Sequence, residues 1–388
     1  MTKPAVPPRP KLLVVASHPI QYHAPLFRAL AASGEVDLTV LFIRMPDARE
    51  QGRGFGIEFA WDVPLLDGYR WECASGVLAS AAPRKLLRSF APDAVLLTGW
   101  HVRPLIQLAF AAKSMGLPVL MRAEANALRK RPWYARLAHR VLLRNCTVFL
   151  PIGRASRDFY LGYGIAPERM FDAPYFIDNA RFASSAAQAL ARRVEWRERW
   201  AIPADSVCFC YAGKLEPKKR ILDVLAALAI AQRADGPPLH LLVVGTGELM
   251  DAAHTYAKAE GLPVTFAGFL NQSEIPAAYA ACDCLVLASD FGETWGLVVN
   301  EAMACGRPAI VSDRVGCAAD LVTPGETGDV FPFGDVHALA DCMVRLARDR
   351  NRLAAMGDAA RERVMRDYTV ERSAGAVIDA VRSVVASS

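Results

Sequence analysis

Short apolar runs rich in β-branched residues alternate with amphipathic segments along most of the chain. In the first half the apolar runs cover 12–16, 36–42, 94–98, 118–121 and 147–151. The intervening segments, such as 25–32, 104–113 and 134–143, carry apolar residues at helical spacing. Strands that alternate with helices are typical of βαβ units. The first half therefore predicts an open α/β domain with a parallel sheet.

The strand pattern stops between residues 174 and 203, in an Ala- and Arg-rich stretch bounded by prolines. A second series of apolar runs then covers 207–212, 240–244, 264–266, 284–287 and 308–311. From residue 336 onward the pattern is helical, with Leu339, Met343 and Leu346 on one stripe. We therefore predict two Rossmann-like domains, a linker and a C-terminal helix that could cross back to the first domain. The two domains cover 1–180 and 206–365, the linker covers 181–205, and the C-terminal helix covers 366–388.

Composition fits this division. The 388 residues are 53% hydrophobic and 22% charged, which suits a globular enzyme with more than one core. No apolar run approaches the roughly 20 residues of a spanning helix, and the proline-rich residues 1–10 lack the apolar core of a signal peptide. We therefore expect a cytoplasmic protein, with peripheral attachment to the inner face of the cell membrane as an alternative.

The spacing of some cysteines is compatible with metal ligands, but their position in the predicted strands disfavours a metal site. Two Cys-x-Cys pairs occur, Cys208/Cys210 and Cys282/Cys284, but both lie in predicted strands, where neighbouring side chains alternate in direction. Buried reduced thiols are the favoured interpretation. Because the chain also lacks an Asp-x-Asp motif and a His/Cys cluster with ligand spacing, we expect no metal site.

Candidate chemistry lies where the strands of the second domain end, since open α/β sheets bind ligands beyond the carboxyl ends of their strands. Gly213 and the basic residues Lys214 and Lys219 follow the first strand, and could admit and neutralise a phosphate group. Gly245 begins a Gly-x-Gly turn after the next strand, which alone is a weak indication. An exposed basic turn without a ligand is the alternative interpretation.

Two glutamates after the fourth strand are more specific. Glu293 and Glu301 are separated by seven residues, and Gly296 precedes a helical run. A carboxylate can accept hydrogen bonds from sugar hydroxyls, and free amides at a helix start suit an anion. The alternative is a carboxylate on the helix surface or one that interacts with the helix dipole.

This segment resembles the Glu-x7-Glu motif of the GT4 family of GT-B glycosyltransferases, including the Glu-Ala-Met-Ala-Cys-Gly-x-Pro run at 301–308. The family's Gly-Arg-Leu-x-Pro-x-Lys-Gly clamp also aligns with 213–220. Lys214 stands in place of its arginine, Lys219 matches its second cation, and Arg220 replaces its closing glycine. Together the similarity covers most of 207–350.

The resemblance implies a GT-B fold, with two Rossmann-like domains whose parallel sheets face a central cleft, and a retaining glycosyltransferase. It implies that Glu301 binds the ribose, that Glu293 holds a donor-sugar hydroxyl, and that both lysines offset diphosphate charge. It also implies that the turn carrying Gly268 and Leu270 lies against the nucleobase. The amides implied to contact sugar and phosphate are those around Thr294, Trp295, Gly296 and Leu297.

The first domain conforms less well to the family. The expected glycine pair after its first strand is replaced by a segment that contains His18 and His23, which are candidates on the acceptor side. Alignment on Pro118 puts Glu124 where the family carries a histidine, so Glu124 is our first candidate for the catalytic centre. His101 ends another strand and is a second candidate, with a structural role as its alternative.

The resemblance further implies a UDP- or GDP-sugar donor, front-side transfer without a protein nucleophile, and no cofactor or metal. A glycan or lipid-linked acceptor in surface polysaccharide or glycolipid synthesis is the expected partner, and nucleic acid is not. Net charge is only +5, but basic residues gather in 129–144 with aromatic and aliphatic residues between them. That segment predicts either an amphipathic helix for an anionic membrane or an ordinary packed helix with a basic face.

Other functions of the same fold stay open. A pyridoxal phosphate-dependent phosphorylase or a nucleotide-sugar epimerase is disfavoured by the Glu-x7-Glu context. A non-catalytic nucleotide-sugar sensor or scaffold is a third alternative, because the first domain departs from the family around His18 and Glu124.

Overall fold

A computed structural model describes residues 9–74 and 83–386, which form two units. Unit 1 takes its residues from the spans 1–46, 64–174 and 370–388. Unit 2 takes them from 47–63 and 175–369. The proline-rich residues 1–8 lie outside the described part of the chain.

Unit 1 is built on a six-stranded sheet of order β3-β2-β1-β4-β5-β6, in which all pairs are parallel. Its strands are β1 (Lys11–Ala16), β2 (Asp37–Phe42), β3 (Trp71–Cys73), β4 (Ala94–Leu97), β5 (Val119–Met121) and β6 (Val148–Phe149). Its helices are α1 (Ala24–Ser33), α3 (Pro83–Phe90), α4 (Arg103–Ser114), α5 (Trp133–Leu143), α6 (Arg154–Leu161) and α16 (Val370–Val385), with a short 3-10 helix at Pro167–Arg169. This strand order is that of a Rossmann sheet, which binds ligands where the order reverses, between β1 and β4.

Unit 2 repeats that order as β12-β11-β10-β7-β8-β9, again with every pair parallel. Its strands are β7 (Val207–Ala212), β8 (Leu239–Val244), β9 (Val264–Gly268), β10 (Cys284–Leu287), β11 (Ala309–Ser312) and β12 (Gly328–Phe331). Its helices are α2 (Ala48–Gln51), α7 (Asn179–Leu190), α8 (Arg193–Arg199), α9 (Ile221–Ala231), α10 (Met250–Ala259), α11 (Ile275–Ala281), α12 (Leu297–Ala304), α13 (Ala318–Leu321), α14 (Val336–Ala347) and α15 (Arg350–Asp367), with a 3-10 helix at Pro217–Lys219.

Each unit has its own apolar core, because the strands are buried on both faces by helices. In unit 2 every residue of β7 is buried, and the core joins this strand to α9 and α14. The predicted stripe of Leu339, Met343 and Leu346 is buried in that core, as expected. The nine cysteines are free thiols, eight of them buried, which agrees with the interpretation of reduced core residues.

The prediction of two parallel α/β sheets is confirmed, but some elements differ from the pattern. β3 and β12 are additional edge strands; β3 has only three residues, and β12 begins with a glycine and an aspartate. Residues 181–205, predicted as a linker, form most of α7 and all of α8, which pack against α11. Residues 47–63, expected in the first domain, belong to unit 2, and the chain from residue 370 onward belongs to unit 1.

Candidate functional site

Apart from Leu297 and Glu301, which lie on α12, the predicted binding residues of unit 2 lie in or beside turns at the carboxyl ends of neighbouring strands. The turns follow β7, β8, β9 and β10, which are adjacent in the sheet. Gly213 N donates to Val244 O at 2.9 Å, and Gly245 N donates to Gly268 O at 2.7 Å. A Cβ atom on Gly245 would lie 2.0 Å from Gly213 O, so only glycine allows this approach. Backbone hydrogen bonds at these three glycines therefore hold the turns after β7, β8 and β9 side by side.

Lys219 and Glu293 form an ion pair between the turns after β7 and β10. Their side chains are only 13% and 16% exposed, so the pair is screened little by solvent. Ser289 Oγ lies 3.5 Å from the same carboxylate oxygen of Glu293. The two side chains that the resemblance implies for phosphate and sugar thus neutralise each other.

Lys214 has a different environment. Its Nζ donates to the carbonyl of Arg53 at 2.9 Å and lies 4.9 Å from the ring centroid of Phe55. Burial lowers the pKa of Lys214, Glu216 raises it, and the neighbouring Lys218 and Lys219 lower it further. A cation that is partly withdrawn from water and surrounded by positive charge gains from an anionic ligand.

Glu301 is buried on α12, with 1% of its surface exposed. Tyr279 Oη donates to its Oε2 at 2.8 Å, and Gln272 Nε2 lies 3.4 Å from its Oε1. The interpretation of Glu301 as a solvated surface carboxylate is therefore wrong. Tyr279 and Gln272 were not identified from the sequence, because both lie in or near α11, far from the motif along the chain.

The loop before α12 is held by the turn after β11. Gly316 N donates to Glu293 O at 3.1 Å and Cys317 N donates to Trp295 O at 2.9 Å, so Thr294 lies between two fixed carbonyls. Gly296 has φ 100° and precedes the first helical residue, Leu297. The indole of Trp295 is buried and donates to Asn300 Oδ1 at 2.8 Å. This side chain therefore anchors the loop, which leaves the backbone as the part able to meet a ligand.

The turn after β9 is covered by residues that sequence reasoning did not connect with it. Phe269 contacts the rings of Phe55 and Phe59, with centroids 5.0 and 4.3 Å away. The adjacent Leu270 lines a cavity of about 350 Å³ together with the stacked rings of Trp196 and Trp200. No local pattern could link Phe55 and Phe59 with Phe269, since some 210 residues separate them.

In unit 1 the candidate residues also lie close together, at the carboxyl ends of β1, β4 and β5. His23 is buried, and its pKa is lowered to about 3 by burial and by the charges of Arg122, His18 and His101. Burial also lowers the pKa of His101, whereas Glu124 raises it and Arg44 lowers it. Ser17 Oγ lies 2.9 Å from His18 Nδ1.

Arg122 and Arg44 were missed among these candidates, although both follow predicted strands directly or within two residues. Glu124 and His101 are in unit 1, whereas Glu293 is in unit 2. Across 9–74 and 83–386, no group of three or more His, Cys, Asp or Glu side chains could hold a metal ion.

α5 presents an unusually apolar face to solvent. Trp133, Tyr134, Leu137 and Val141 are exposed by 76%, 63%, 55% and 45%. The basic residues exposed around them are Arg129, Lys130, Arg136, Arg140 and Arg144. None of the helices in the described part of the chain is both long and apolar enough to cross a membrane.

Comparison with known proteins finds a family match within the second unit. Residues 192–363 match the family described as "Glycosyl transferases group 1". The chain is 34% identical over 163 residues to a GDP-mannose-dependent alpha-(1-6)-phosphatidylinositol dimannoside mannosyltransferase of Mycobacterium tuberculosis, covering 41% of each chain. It is 32% identical over 245 residues to a GDP-mannose-dependent alpha-mannosyltransferase of the same species, covering 63% of this chain and 56% of that relative. The match thus spans about half the length of these relatives.

Solved structures resemble the whole chain. The Anabaena protein HepE in complex with UDP and glucose superposes with a TM-score of 0.72 at 17% identity, covering 97% of this chain and all of that one. Sucrose-phosphate synthase from Thermosynechococcus elongatus superposes with a TM-score of 0.68 at 19% identity, covering 98% of this chain and all of that one. These similarities establish the GT-B fold.

Proposed function

Since residues 192–363 match the glycosyl transferases group 1 family, we propose that the protein is a retaining glycosyltransferase. It moves a sugar from a nucleoside diphosphate donor to a glycan or lipid-linked acceptor in surface polysaccharide or glycolipid synthesis. The carrying observation is that Lys214 and the Lys219–Glu293 pair lie in adjoining turns of one sheet, with Glu301 buried on α12, the helix that follows one of these turns. The relatives named for GDP-mannose make GDP-mannose the first donor to examine, and UDP-sugars the second.

In this proposal the donor rearranges the charges of the resting site. The ribose hydroxyls donate to Glu301, which Tyr279 and Gln272 hold in place. The diphosphate takes Lys219 from Glu293, and Glu293 becomes able to accept from a hydroxyl of the donor sugar. Lys214 also gains from binding the diphosphate, because a charge-assisted hydrogen bond to phosphate is stronger than one to a neutral partner.

The reaction follows a front-side course. The bond between the anomeric carbon and the leaving phosphate oxygen breaks as the acceptor oxygen attacks from the same face. The acceptor proton passes to the departing phosphate, so the products are the glycoside and the nucleoside diphosphate. Lys214 and Lys219 stabilise the negative charge that develops on the leaving group.

Because two lysines supply that charge, we propose that the enzyme needs neither a metal nor a cofactor. Transfer measured in excess EDTA should proceed at the rate seen without it. Loss of activity on chelation that added Mg²⁺ or Mn²⁺ restores would contradict this part of the proposal.

Donor binding is the first test of the function. UDP, GDP and their sugars should raise the unfolding temperature of the wild type, since a ligand at one hundred times its Kd stabilises the folded state by about 2.7 kcal/mol. Glu301→Ala and Lys219→Ala should lose this stabilisation, whereas Lys258→Ala, on α10, should keep it. Absence of stabilisation by any nucleotide or nucleotide sugar would remove the basis for a transferase.

Catalysis is tested separately from binding in unit 1. Glu124→Gln and His101→Ala should slow sugar transfer at least tenfold while leaving nucleotide affinity within about twofold, if they act on the acceptor or the reacting centre. Normal transfer by both variants would exclude them from catalysis. Donor binding without hydrolysis or transfer to any acceptor would instead favour the nucleotide-sugar sensor.

We further propose that α5 attaches the cytoplasmic protein to an anionic membrane surface. Its exposed aromatic and aliphatic side chains suit the interface, and the surrounding cations suit acidic headgroups. Reversal of Arg129, Lys130, Arg136 and Arg140 to glutamate should abolish co-sedimentation with phosphatidylglycerol vesicles. The matched control reverses Arg350, Arg352, Arg361 and Arg366 on α15. Equal binding by both variants would contradict the proposal.

A further inference from the structure

The segment 47–63 belongs to unit 2, although the residues on both sides of it belong to unit 1. It folds into a compact loop. Asp47 caps α2 by accepting from Glu50 N at 2.8 Å, and Phe59 N donates to Ala48 O at 3.2 Å. A Cβ atom on Gly52 would lie 1.6 Å from Ile57 O, so the backbone closes on itself at this glycine. The segment is therefore a built element with its own hydrogen bonds.

One end of this loop engages Lys214. The Arg53 carbonyl accepts a hydrogen bond from Lys214 Nζ at 2.9 Å, and the same Nζ lies 4.9 Å from the ring centroid of Phe55. Gly54, with φ +88°, brings the backbone so near that a Cβ atom there would lie 3.0 Å from Lys214 Nζ. Among residues 9–74 and 83–386 no carboxylate pairs with Lys214 as Glu293 pairs with Lys219, and a hydrogen bond and a cation–π contact satisfy this cation instead.

The other end covers the turn after β9. The rings of Phe55, Phe59 and Trp61 surround Phe269, with centroid distances of 5.0, 4.3 and 6.4 Å. Aromatic contacts at these distances are attractive, and the four rings also shield one another from water.

Hydrogen bonds extend the same contact toward α11. Asn271 Nδ2 donates to Ala60 O at 2.8 Å, and Ser273 N lies 3.2 Å from both carboxylate oxygens of Asp62. Ser273 Oγ also donates to Asp62. Segment 47–63 is thus attached to the turns after β7 and β9, two of the four turns that form the candidate site.

We propose that segment 47–63 is an autoinhibitory latch on the nucleotide site, which competes with the donor's diphosphate for Lys214 and opens when the donor binds. This inference rests on the proposed function, because it takes the turns after β7 and β9 as the nucleotide site. The latch supplies Lys214 with neutral oxygen and ring partners, whereas a diphosphate supplies charged oxygens, which form the stronger bonds.

The latch raises the apparent Kd for nucleotide by the reciprocal of the fraction of molecules in which it is open. If the latch is closed in about nine molecules of ten, the apparent Kd is about tenfold higher than that of a permanently open site. Removing the aromatic contacts should therefore tighten nucleotide binding. A segment that formed part of the binding surface would have the opposite effect.

The test is isothermal titration of the full chain with GDP and with UDP. Phe55→Ala/Phe59→Ala should lower the Kd of the bound nucleotide about tenfold, and Ile57→Ala, an exposed change in the same loop, should leave it unchanged. An unchanged or raised Kd in the double variant would overturn the latch. Nucleotide binding by the wild type would in that case still support the donor site. Failure of wild type and double variant alike to bind either nucleotide would overturn both.

Hydrogen exchange gives a second readout that needs no substitution. The amides of Phe59 and Trp61, which bond within the loop, and of Ser273, which meets Asp62, should exchange several-fold faster in wild-type protein saturated with nucleotide. Slower exchange in the presence of nucleotide would show a segment that closes over the ligand, and would overturn the latch.

Discussion

At the scale of single residues, the candidate site holds its charges in neutral arrangements. Lys219 is paired with Glu293, and Lys214 is held by a carbonyl and a ring. Glu301 is buried and relies on hydrogen-bond donors for its stability. Burying such groups costs free energy unless hydrogen bonds or opposite charges compensate for it. The residues that supply these partners are therefore suitable targets for substitution.

Tyr279→Phe removes the hydroxyl that donates to Glu301 at 2.8 Å. We expect the free energy of unfolding to fall by about 1–3 kcal/mol, because a buried carboxylate loses a partner. Chemical denaturation of variant and wild type measures the difference. Tyr256→Phe on α10 serves as the control and should change stability by less than about 0.5 kcal/mol. Equal stability of the Tyr279 variant and the wild type would mean that another donor replaces the hydroxyl.

His23 makes a pH-dependent contribution in unit 1. Its pKa is about 3 in the folded protein and about 6.5 in an unfolded chain. Between these values the unfolded state binds a proton that the folded state does not. The free energy of unfolding must therefore decrease as pH falls from 6.5 toward 3, by at most about 1.4 kcal/mol per pH unit from this group.

His23→Gln should make that pH dependence shallower, because glutamine does not titrate. Urea unfolding at several pH values between 4 and 7 measures the slope. His240 in unit 2, whose pKa is lowered to about 4 mainly by burial, contributes in the same direction and remains in the variant. A slope unchanged from wild type would show that His23 takes up its proton without unfolding.

At the scale of elements, α8 is fixed to the sheet of unit 2 by one carboxylate. Asp283 accepts from Arg193 Nη2 at 2.7 Å and from Cys208 N at 2.8 Å, and Arg197 Nη1 lies 3.5 Å away. Arg197 is buried and also donates to the carbonyls of Ala281 and Ser206. A helix from the stretch between the two repeating patterns is thereby joined to β7 and to the start of β10.

Asp283→Ala leaves two arginines and a strand amide without their carboxylate. We expect a loss of about 3 kcal/mol in the free energy of unfolding, since breaking a buried pair strands an uncompensated charge. Asp358→Ala removes an exposed aspartate from α15 and should cost less than about 1 kcal/mol. Thermal and urea denaturation compare the two, and similar losses would mean that the arginines find other partners.

At the scale of the whole molecule, unit 1 is discontinuous along the chain. It contains α16, the last helix, which packs on α1 and β4. Val377, Ala380, Val381 and Val384 form its buried face. The first unit therefore cannot complete its core until α16 has been synthesised.

Truncation after Thr369 should leave that apolar surface of unit 1 exposed. We expect poor solubility and strong binding of the dye ANS, because exposed apolar patches of this kind promote association. Truncation after Ala386, which retains α16, should behave as the full chain does. A soluble, monomeric protein without α16 would show that unit 1 is stable without it.

The amino-acid sequence by itself determined the two parallel α/β sheets, because strands buried on both faces leave continuous apolar runs and helices leave a 3.6-residue period. Its motifs placed Glu293, Lys214 and Lys219 in turns after strands and Glu301 in the helical run that follows, since such positions depend on short stretches of chain. The edge strands β3 and β12 carried too few apolar residues to be found. The helices in 181–205 were hidden by flanking prolines and a polar composition.

Only the tertiary structure decided which distant residues meet. The hydroxyl of Tyr279 donates to Glu301, and the rings of Phe55 and Phe59 contact Phe269. No periodic pattern in the sequence indicates these contacts. Burial likewise excluded the alternative that Glu301 is a solvated carboxylate on the helix surface. Long-range contacts depend on how whole elements pack, whereas local patterns report only which face of an element is apolar. For that reason the residues of the candidate site could be proposed from the sequence, and the distant side chains that contact them could not.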